Sequence, residues 1–290
     1  MNILVTGASG FMGRSFCEFA SKTGCQVTAL TRTPSEFSDS GITAVQYDFL
    51  QSDPSTLALD HIDAVFHPAW IATPGEYWTS PLNQHFLEAS LRFSESLSNV
   101  PSPPLLCVAG TCAEYLAQNS PLTENSPLNT TSQLPYINSK IKLHSQLAER
   151  YPKLSWARIF YPYGPGEHPS RLVSSAIEAM KNGEIFKLNA PHFQKDYIYI
   201  DDLSSAILSV FYNQLQGAVN IGTGTGTPLG LMLQKTTDFL PFQADVITPE
   251  TADLPPLEIT IADIRRLAST GWEPQTDLTE GLKKLVLSLA

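Results

Sequence analysis

Asn2-Ile3-Leu4-Val5-Thr6-Gly7-Ala8-Ser9-Gly10-Phe11-Met12-Gly13 begins as an apolar strand and runs through three glycines into a helical segment. Gly7 suits a tight turn, Gly10 allows the backbone to approach a pyrophosphate, and Gly13 allows the helix to pack close to the sheet. The start of the helix would face the phosphate charge. The Gly-x-x-Gly-x-x-Gly spacing differs from the Gly-x-Gly-x-x-Gly dinucleotide fingerprint, so a strand-to-helix turn without a ligand is the alternative. Strand, glycines and helix together favour a phosphate-binding loop.

Short apolar runs alternate with helix-length segments in the N-terminal half, a pattern typical of an α/β fold with a doubly wound parallel sheet. In such sheets ligands bind beyond the carboxyl ends of the strands. The predicted strands cover residues 2 to 6, 26 to 30, 43 to 47, 64 to 67, 104 to 109 and 154 to 160. The predicted helices cover 11 to 22, 83 to 98, 136 to 151, 169 to 182, 202 to 214, 228 to 239 and 279 to 289.

The end of the second predicted strand bears on which dinucleotide this loop would bind. A carboxylate about 20 residues beyond the glycine loop meets the ribose hydroxyls of NAD, whereas a nearby arginine accommodates the 2′-phosphate of NADP. Here the strand leads into Thr31-Arg32-Thr33, with no acid. This predicts a preference for NADP (NADPH), with NAD possible; the alternative is that Arg32 stacks over adenine or lies in solvent.

Composition disfavours several other classes of protein. The chain carries 18 Lys and Arg against 28 Asp and Glu, a formal net charge of −10, so nucleic acid is not expected as a partner. No apolar run approaches the roughly 20 residues of a membrane span, so we expect no membrane partner and a cytoplasmic protein. The four cysteines lack Cys-x-x-Cys spacing and are expected to be reduced. The six histidines show no clustered ligand spacing, so no metal is predicted.

A second informative stretch is Tyr136-Ile-Asn-Ser-Lys140, in which a phenol and an ammonium lie four residues apart on a predicted helix. One helical face would carry both side chains. An ammonium nearby favours the ionised form of a phenol, which suits general acid and base catalysis. The alternative, an exposed pair on a surface helix, is the commoner origin of such a spacing taken alone.

Taken together, these residues and several later segments resemble the extended short-chain dehydrogenase/reductase family, also called the NAD-dependent epimerase/dehydratase family. The resemblance covers nearly the whole chain. It is carried by Gly7, Gly10, Gly13, Thr111, Tyr136 and Lys140, and by residues 107 to 115, 158 to 166, 195 to 202 and 219 to 224.

The resemblance implies a Rossmann-type doubly wound parallel sheet with a smaller C-terminal substrate-binding region. It implies an NAD(P)-binding domain over residues 1 to 160 and a substrate-binding region over 161 to 290, with residues near 196 to 225 returning to the first domain. Enzymes of this family usually act on nucleotide sugars at the sugar C4 hydroxyl or ketone. They commonly dimerise, so a homodimer is expected.

The resemblance also implies roles for individual residues. Thr111 would hydrogen-bond the reacting oxygen, Tyr136 would deliver a proton while hydride passes from nicotinamide to the carbonyl carbon, and Lys140 would lower the pKa of Tyr136 and hold the nicotinamide ribose. Trp70 is equally compatible with a place in the core. The residues predicted to contact the cofactor are Gly7, Ser9, Gly10, Phe11, Met12, Thr31, Arg32, Asp48, Phe49, Pro68, Ala69, Trp70, Tyr136, Lys140 and Phe160.

The substrate region departs from the family pattern. Family members that eliminate water carry Asp and Glu directly after the hydroxyl residue, where this chain has Cys112 and Ala113. Dehydration is therefore not expected, and Cys112 is either a small buried thiol or an acid/base with His168. Tyr161 replaces the usual asparagine, Lys195 replaces an arginine, and the later arginine that clamps a diphosphate has no counterpart near residues 253 to 257. Either a nucleotide sugar is held differently, with help from Arg171, His192 or Lys195, or the substrate is not a nucleotide sugar. The predicted substrate-binding residues are Cys112, Tyr161, Arg171, His192 and Lys195.

Three functions remain open from the sequence. The first is NADPH-dependent reduction of a keto group on a nucleotide-linked deoxysugar. The second is a nucleotide-sugar 4-epimerase with a tightly held cofactor. The third is a noncatalytic dinucleotide-binding sensor, which the presence of Thr111, Tyr136 and Lys140 disfavours.

Overall fold

A seven-stranded parallel sheet lies at the centre of the protein in the computed structural model, which describes residues 1–38, 40–241, 246–247 and 257–289. The described strands are β1 (Asn2–Val5), β2 (Gln26–Thr31), β3 (Thr43–Gln46), β4 (Ala64–His67), β5 (Leu105–Thr111), β6 (Leu154–Ile159), β7 (Tyr161–Tyr163), β8 (Phe186–Lys187), β9 (Gln194–Lys195), β10 (Tyr197–Tyr199), β11 (Gly217–Ile221), β12 (Thr227–Pro228), β13 (Val246–Ile247) and β14 (Ile259–Thr260).

The α-helices connect these strands and cover both faces of the sheet. Across the described ranges, no helix is long and apolar enough to span a membrane. The helices are α1 (Phe11–Lys22), α2 (Leu82–Ser98), α3 (Pro135–Arg150), α4 (Leu172–Lys181), α5 (Ile200–Tyr212), α6 (Leu229–Thr237), α7 (Arg265–Ala268) and α8 (Leu278–Ser288).

The order of strands in the main sheet is β11-β6-β5-β4-β1-β2-β3. β1 is an inner strand that pairs with β2 on one side and with β4 on the other, so the chain reverses its direction of travel across the sheet at β1. This reversal is the point at which doubly wound sheets bind ligands. The predicted α/β fold with a Rossmann-type parallel sheet is confirmed.

Alternation of side chains along the strands explains why the sheet packs against helices on both of its faces. Ile3 of β1 faces a core that includes Phe16 of α1 and Leu203 of α5. Leu4 points to the opposite face, where it joins a core that includes Leu87 of α2 and Leu143 of α3. Because successive strand residues point to opposite faces, one apolar strand supplies both cores.

The residues after β6 build a second region beside the carboxyl edge of the sheet. Its core includes Val173 of α4, Met232 of α6 and Leu285 of α8. β11 nevertheless pairs with β6 and is the edge strand of the main sheet. The division into an NAD(P)-binding domain over 1 to 160 and a substrate-binding region over 161 to 290 stays a prediction.

The predicted strands and helices are confirmed, mostly within two residues at each end. The exception is the helix predicted from residue 169, which begins at Leu172 because residues 168 to 171 form a turn. In that turn the Arg171 N–H donates to the His168 carbonyl at 2.9 Å, and Arg171 has an extended backbone. The short strands of two or three residues after residue 160 were not predicted.

Candidate active site

The glycine-rich loop follows β1 at the carboxyl edge of the sheet. Gly7 has a φ of +56°, a conformation that glycine adopts without strain. A Cβ on Gly7 would lie 2.9 Å from Ala69 Cα, and a Cβ on Gly13 would lie 2.9 Å from Ala8 Cα. Gly10 is the N-cap residue of α1, so the unpaired N–H groups of the first helical turn are presented at this loop. The loop offers the close backbone approach and the positive helix end that a pyrophosphate requires.

Two adjoining cavities lie along this edge within the described residues. The larger, of about 660 Å³, is called the large cavity, and the smaller, of about 150 Å³, the small cavity. A cavity of the larger size falls in the usual range for cofactor sites. Both are lined by Met12, Pro68, Trp70, Ile71, Ala72, Pro162 and Arg171.

The structure brings most of the residues predicted to contact a dinucleotide together around the large cavity. Tyr136, Lys140 and Phe160 line the small cavity instead. The predicted residues that line the large cavity are Gly7, Ser9, Gly10, Phe11, Met12, Thr31, Arg32, Asp48, Phe49, Pro68, Ala69 and Trp70. Glycine loop, helix end and lining therefore fit a dinucleotide.

One end of the large cavity is formed by the ends of β2 and β3. Arg32 is exposed there, while Asp48 accepts a hydrogen bond from the Leu50 N–H at 3.0 Å. The nearby Glu36 carboxylate pairs with Arg14 and accepts a hydrogen bond from Thr33. The Glu36 carboxylate is thus already paired, and Arg32 is an exposed residue that lines the large cavity.

The small cavity contains the three predicted catalytic side chains, Thr111, Tyr136 and Lys140. β5 ends at Thr111, and α3 carries Tyr136 and Lys140 one turn apart. Thr111 and Tyr136 both line this cavity. Burial raises the pKa of Tyr136 well above its ordinary value, and the nearby Thr111 side chain opposes that effect in part.

Two aromatic rings hold the Tyr136 ring on its side of the cavity. Tyr77 meets it edge to face with the ring centroids 4.8 Å apart, and Trp78 does so at 5.4 Å. The Tyr136 N–H also donates to the Trp78 carbonyl at 3.2 Å. Sequence reasoning missed Tyr77 and Trp78 because the segment after β4 has no periodic pattern, although two adjacent aromatic residues there were a signal.

Lys140 is a buried residue in the lining of the small cavity. Its Nζ donates a hydrogen bond of 2.7 Å to the Ala109 carbonyl and lies 3.7 Å from the centroid of the Trp70 ring. Burial lowers the pKa of Lys140 from 10.5 to about 7, and the Glu114 carboxylate raises it in part. Burial, and not the expected effect of Lys140, is the dominant influence on the Tyr136 pKa.

Trp70 combines the two roles that the sequence left open. Its indole N–H donates to the Asn83 side chain at 2.7 Å, and its ring stacks on Phe86 with centroids 5.6 Å apart. The Trp70 side chain thus packs against α2 and at the same time lines both cavities.

The predicted substrate-binding residues divide into two groups. Cys112, Tyr161 and Arg171 line the small cavity. His192 and Lys195 are not among the residues that line either cavity; Lys195 pairs with Glu258 and donates to Thr260 at 3.1 Å.

Cys112 is a buried thiol that packs in one cluster with Tyr161. Burial raises its pKa to about 12, so it holds its proton at neutral pH. His168 bonds Ser170 at 2.9 Å on the surface and does not line the small cavity. Among the described residues, no group of three or more His, Cys, Asp and Glu side chains is placed to hold a metal ion.

The amino-acid sequence is similar to those of known proteins. The sequence profile of the NAD dependent epimerase/dehydratase family matches residues 3–222. CDP-abequose synthase of Salmonella typhimurium is 22% identical, with 99% of this chain and 98% of that protein covered. UDP-glucose 4-epimerase of Bacillus subtilis is 24% identical, with 97% and 94% covered.

A solved structure gives the same fold. UDP-glucuronic acid 4-epimerase from Bacillus cereus, in complex with UDP-glucuronic acid and NAD, superposes with a TM-score of 0.85 at 20% identity and covers 100% of this chain and 99% of its own. The resemblance predicted from the sequence is confirmed. This chain belongs to the NAD dependent epimerase/dehydratase family and is an enzyme of the extended short-chain dehydrogenase/reductase type.

Proposed function

We propose that this enzyme uses NADPH to reduce a keto group on a nucleotide-linked deoxysugar. The observation that carries the proposal is the placement of Thr111, Tyr136 and Lys140 together around a small cavity that adjoins the large one. Two hydroxyl groups then face one reacting oxygen, next to a cavity that fits a dinucleotide. The similarity to enzymes named for CDP-linked and UDP-linked sugars supports the substrate class.

In this proposal a bound nicotinamide supplies the hydride. The Tyr136 phenol gives its proton to the carbonyl oxygen as that oxygen gains negative charge. The Thr111 hydroxyl donates a hydrogen bond to the same oxygen and holds it in place. Lys140, in the lining of the small cavity, supplies a positive charge near both groups and the hydrogen-bond donors that a ribose needs.

Tyr136 is protonated at neutral pH, because burial raises the pKa of this phenol above its ordinary value. The proton that the reduction of a ketone requires is therefore present on this group.

The lining of the small cavity supports a sugar with few hydroxyl groups. Most of it is aromatic or apolar, as with Trp78, Ile159 and Phe160. Transfer of a hydroxyl group into such a cavity without a hydrogen-bonding partner is unfavourable. A sugar in which hydrogen replaces some hydroxyl groups would therefore bind there more favourably. Arg171 lines both cavities and is the cation that we assign to the diphosphate, in place of the arginine missing near residue 253.

The preference for NADP is part of the proposal. Arg32 faces the large cavity, and the Glu36 carboxylate on the same loop is neutralised by Arg14. A 2′-phosphate would therefore meet a positive charge and the hydroxyl group of Thr31. We also propose that the enzyme is a cytoplasmic homodimer, as the family resemblance suggests.

A second candidate is a sugar 4-epimerase that oxidises and then re-reduces its substrate with one retained cofactor. The similarity to two proteins named as 4-epimerases favours it. This candidate predicts that the purified enzyme keeps its dinucleotide and interconverts UDP-glucose and UDP-galactose without added NADPH.

The test is to incubate the enzyme with NADPH and a panel of 4-keto-6-deoxy nucleotide sugars, with Tyr136→Phe as the control. We expect NADPH oxidation with stoichiometric formation of the alcohol, and a loss of about 10²- to 10⁴-fold in kcat in Tyr136→Phe. Epimerisation without NADPH oxidation would favour the second candidate. No turnover of any panel member in either assay would reject both.

A further inference from the structure

Glu114 is a fully buried carboxylate directly behind the predicted catalytic threonine. Its side chain is 0% exposed and pairs with Arg158, which is 2% exposed, at 2.8 Å. The Trp156 indole N–H also donates to it, at 3.0 Å. Burying two charges costs more than their attraction returns unless their hydrogen bonds are satisfied, so stability alone is a weak reason for such a pair.

The carboxylate reaches the active site through the backbone of Thr111. Glu114 Oε1 accepts a hydrogen bond of 2.9 Å from the Thr111 N–H. In return the Thr111 Oγ1 atom accepts one of 3.2 Å from the Ala113 N–H. These reciprocal bonds form a capping box at the first turn after β5.

The capping box determines what the Thr111 hydroxyl can do. One lone pair of Oγ1 is used by the Ala113 N–H, so its hydrogen is left to donate elsewhere. Thr111 lines the small cavity together with Tyr136, so this hydrogen is available to an oxygen bound there. The position and the direction of this hydroxyl group therefore depend on the position of the Thr111 backbone, which Glu114 holds.

Gly110 leaves the space that this carboxylate needs. A Cβ on Gly110 would lie 2.8 Å from Glu114 Oε1 and would clash with the Trp156 indole. Glycine at position 110 therefore leaves room for the hydrogen bond between the Glu114 carboxylate and the Thr111 N–H, and a residue with a Cβ would not. Arg158 is itself fixed by donation to the Tyr115 hydroxyl and the Glu124 carbonyl, both at 3.0 Å.

We propose that Glu114 is a positioning residue: by holding the Thr111 N–H from behind, it places the Thr111 hydroxyl where it can donate to the reacting oxygen beside Tyr136. The inference rests on the proposed function for its kinetic test. Arg158 and Trp156 serve the same end by fixing the carboxylate. Each acts through Thr111, and none of them lines the small cavity.

The test compares two variants that differ at one side chain. The first is Glu114→Gln/Arg158→Met/Trp156→Phe, and the second is Glu114→Leu/Arg158→Met/Trp156→Phe. Both remove the buried charges and the indole donor, so neither leaves an unpaired charge in the core. Only the first keeps an oxygen that can accept from the Thr111 N–H.

We expect the Leu variant to have a kcat about 30- to 100-fold below that of the Gln variant, because a hydroxyl moved by a fraction of an ångström loses its alignment. The two variants should have the same KM for the keto sugar within about threefold, and likewise the same Kd for NADPH, since Glu114 contacts neither ligand. A kcat for the Leu variant within threefold of the Gln variant would overturn the proposal and leave Glu114 as a structural residue.

Crystal structures of the two variants give a readout independent of turnover. The Thr111 Oγ1 atom should keep its wild-type position relative to Tyr136 Oη in the Gln variant and be displaced in the Leu variant; an unchanged position in both would contradict the inference. If the wild type reduces no keto sugar, the proposed function fails while these structures still decide the role of Glu114.

Should either triple variant fail to fold, Gly110→Ala tests the same contact with one methyl group. The added Cβ displaces the Glu114 carboxylate, so we expect kcat to fall at least about tenfold with KM unchanged. A kcat within twofold of the wild type, with the methyl group seen in place, would contradict the inference.

Discussion

The Lys140 ammonium lies 3.7 Å from the centroid of the Trp70 ring and donates its 2.7 Å hydrogen bond to the Ala109 carbonyl. A buried cation is thus stabilised by the face of an aromatic ring and by one backbone oxygen, with the Glu114 carboxylate adding a longer-range attraction. These contacts only partly offset the loss of hydration, which lowers the pKa of Lys140 from 10.5 to about 7. Near neutral pH the enzyme therefore holds a lysine that is close to losing its proton.

This lysine should make stability depend on pH in a defined window. Between about pH 7 and 10.5 the unfolded chain binds a proton at Lys140 that the folded chain lacks, so folding stability from this group rises with pH. Below pH 7 both states are protonated, and the cost of burying the charge is present in full. Lys140→Met removes that cost, so its stability advantage over the wild type should be largest below pH 7 and shrink as the pH rises.

The measurement is the difference in Tm between Lys140→Met and the wild type from pH 6 to pH 10. The corresponding change in unfolding free energy is on the order of 4 kcal/mol over this window. His67, whose pKa burial lowers to about 3 with Lys140 adding to the effect, is the other titrating group beside Lys140; it stays neutral from pH 6 upwards. A Tm difference that does not change with pH would mean that Lys140 keeps an ordinary pKa.

Thr111 can be tested by removing its hydroxyl without changing its shape. Thr111→Val should lower kcat by about 10- to 100-fold, because the reacting oxygen loses one of two hydrogen bonds that strengthen in the transition state. Thr111→Ser keeps the donor and the capping bond to Ala113, so we expect it to stay within about threefold of the wild type. NADPH affinity, measured by fluorescence titration, should be the same in both. Equal kcat values in the two variants would exclude a role for this hydroxyl.

Arg32 should determine the choice of cofactor. Arg32→Glu places a negative charge where the 2′-phosphate would bind, so the Kd for NADPH should rise by about 10²-fold and that for NADH should change by less than about threefold. Arg150→Glu, an exposed arginine at the far end of α3, makes the same change in net charge away from the cavity. A wild type that binds NADH at least as well as NADPH would reject the NADP preference.

Cys112 is expected to be a packing residue of the small cavity. Its pKa of about 12 keeps the thiol protonated at neutral pH, so it is a poor proton acceptor and a poor nucleophile. Cys112→Ala should therefore lower kcat less than about fivefold, and iodoacetamide at pH 7 should leave Cys112 unmodified in the folded enzyme, as judged by peptide mass. A loss of activity comparable with that of Tyr136→Phe would instead support an acid/base role.

The sequence predicted those parts of the site that depend on local patterns. The Gly7-Gly10-Gly13 loop follows a strand and precedes a helix, and Tyr136 and Lys140 lie on one helical face because helical periodicity requires it. The strand ends then bring Thr31, Asp48 and Thr111 to one edge of the sheet. Each of these inferences needs only the few residues around it.

The remaining features depend on contacts between distant segments. The pairing of Glu114 with Arg158 joins residues 44 positions apart, and no local pattern marks either as buried. The edge-to-face packing of Tyr77 on Tyr136 brings an irregular loop onto α3. Lys195 was predicted to bind substrate from its place in a family segment, yet its ammonium pairs with Glu258. The direction of a long side chain is set by partners that sequence reasoning did not locate.

The most direct test of the account follows the hydride itself. The enzyme is incubated with NADPH deuterated on the transferred position of the nicotinamide and with a 4-keto-6-deoxy nucleotide sugar, and the product is analysed by NMR and mass spectrometry. The account predicts one deuterium at the former carbonyl carbon and one NADP⁺ formed for each alcohol. A product without deuterium, or interconversion of hydroxyl epimers with no net oxidation of NADPH, would contradict it.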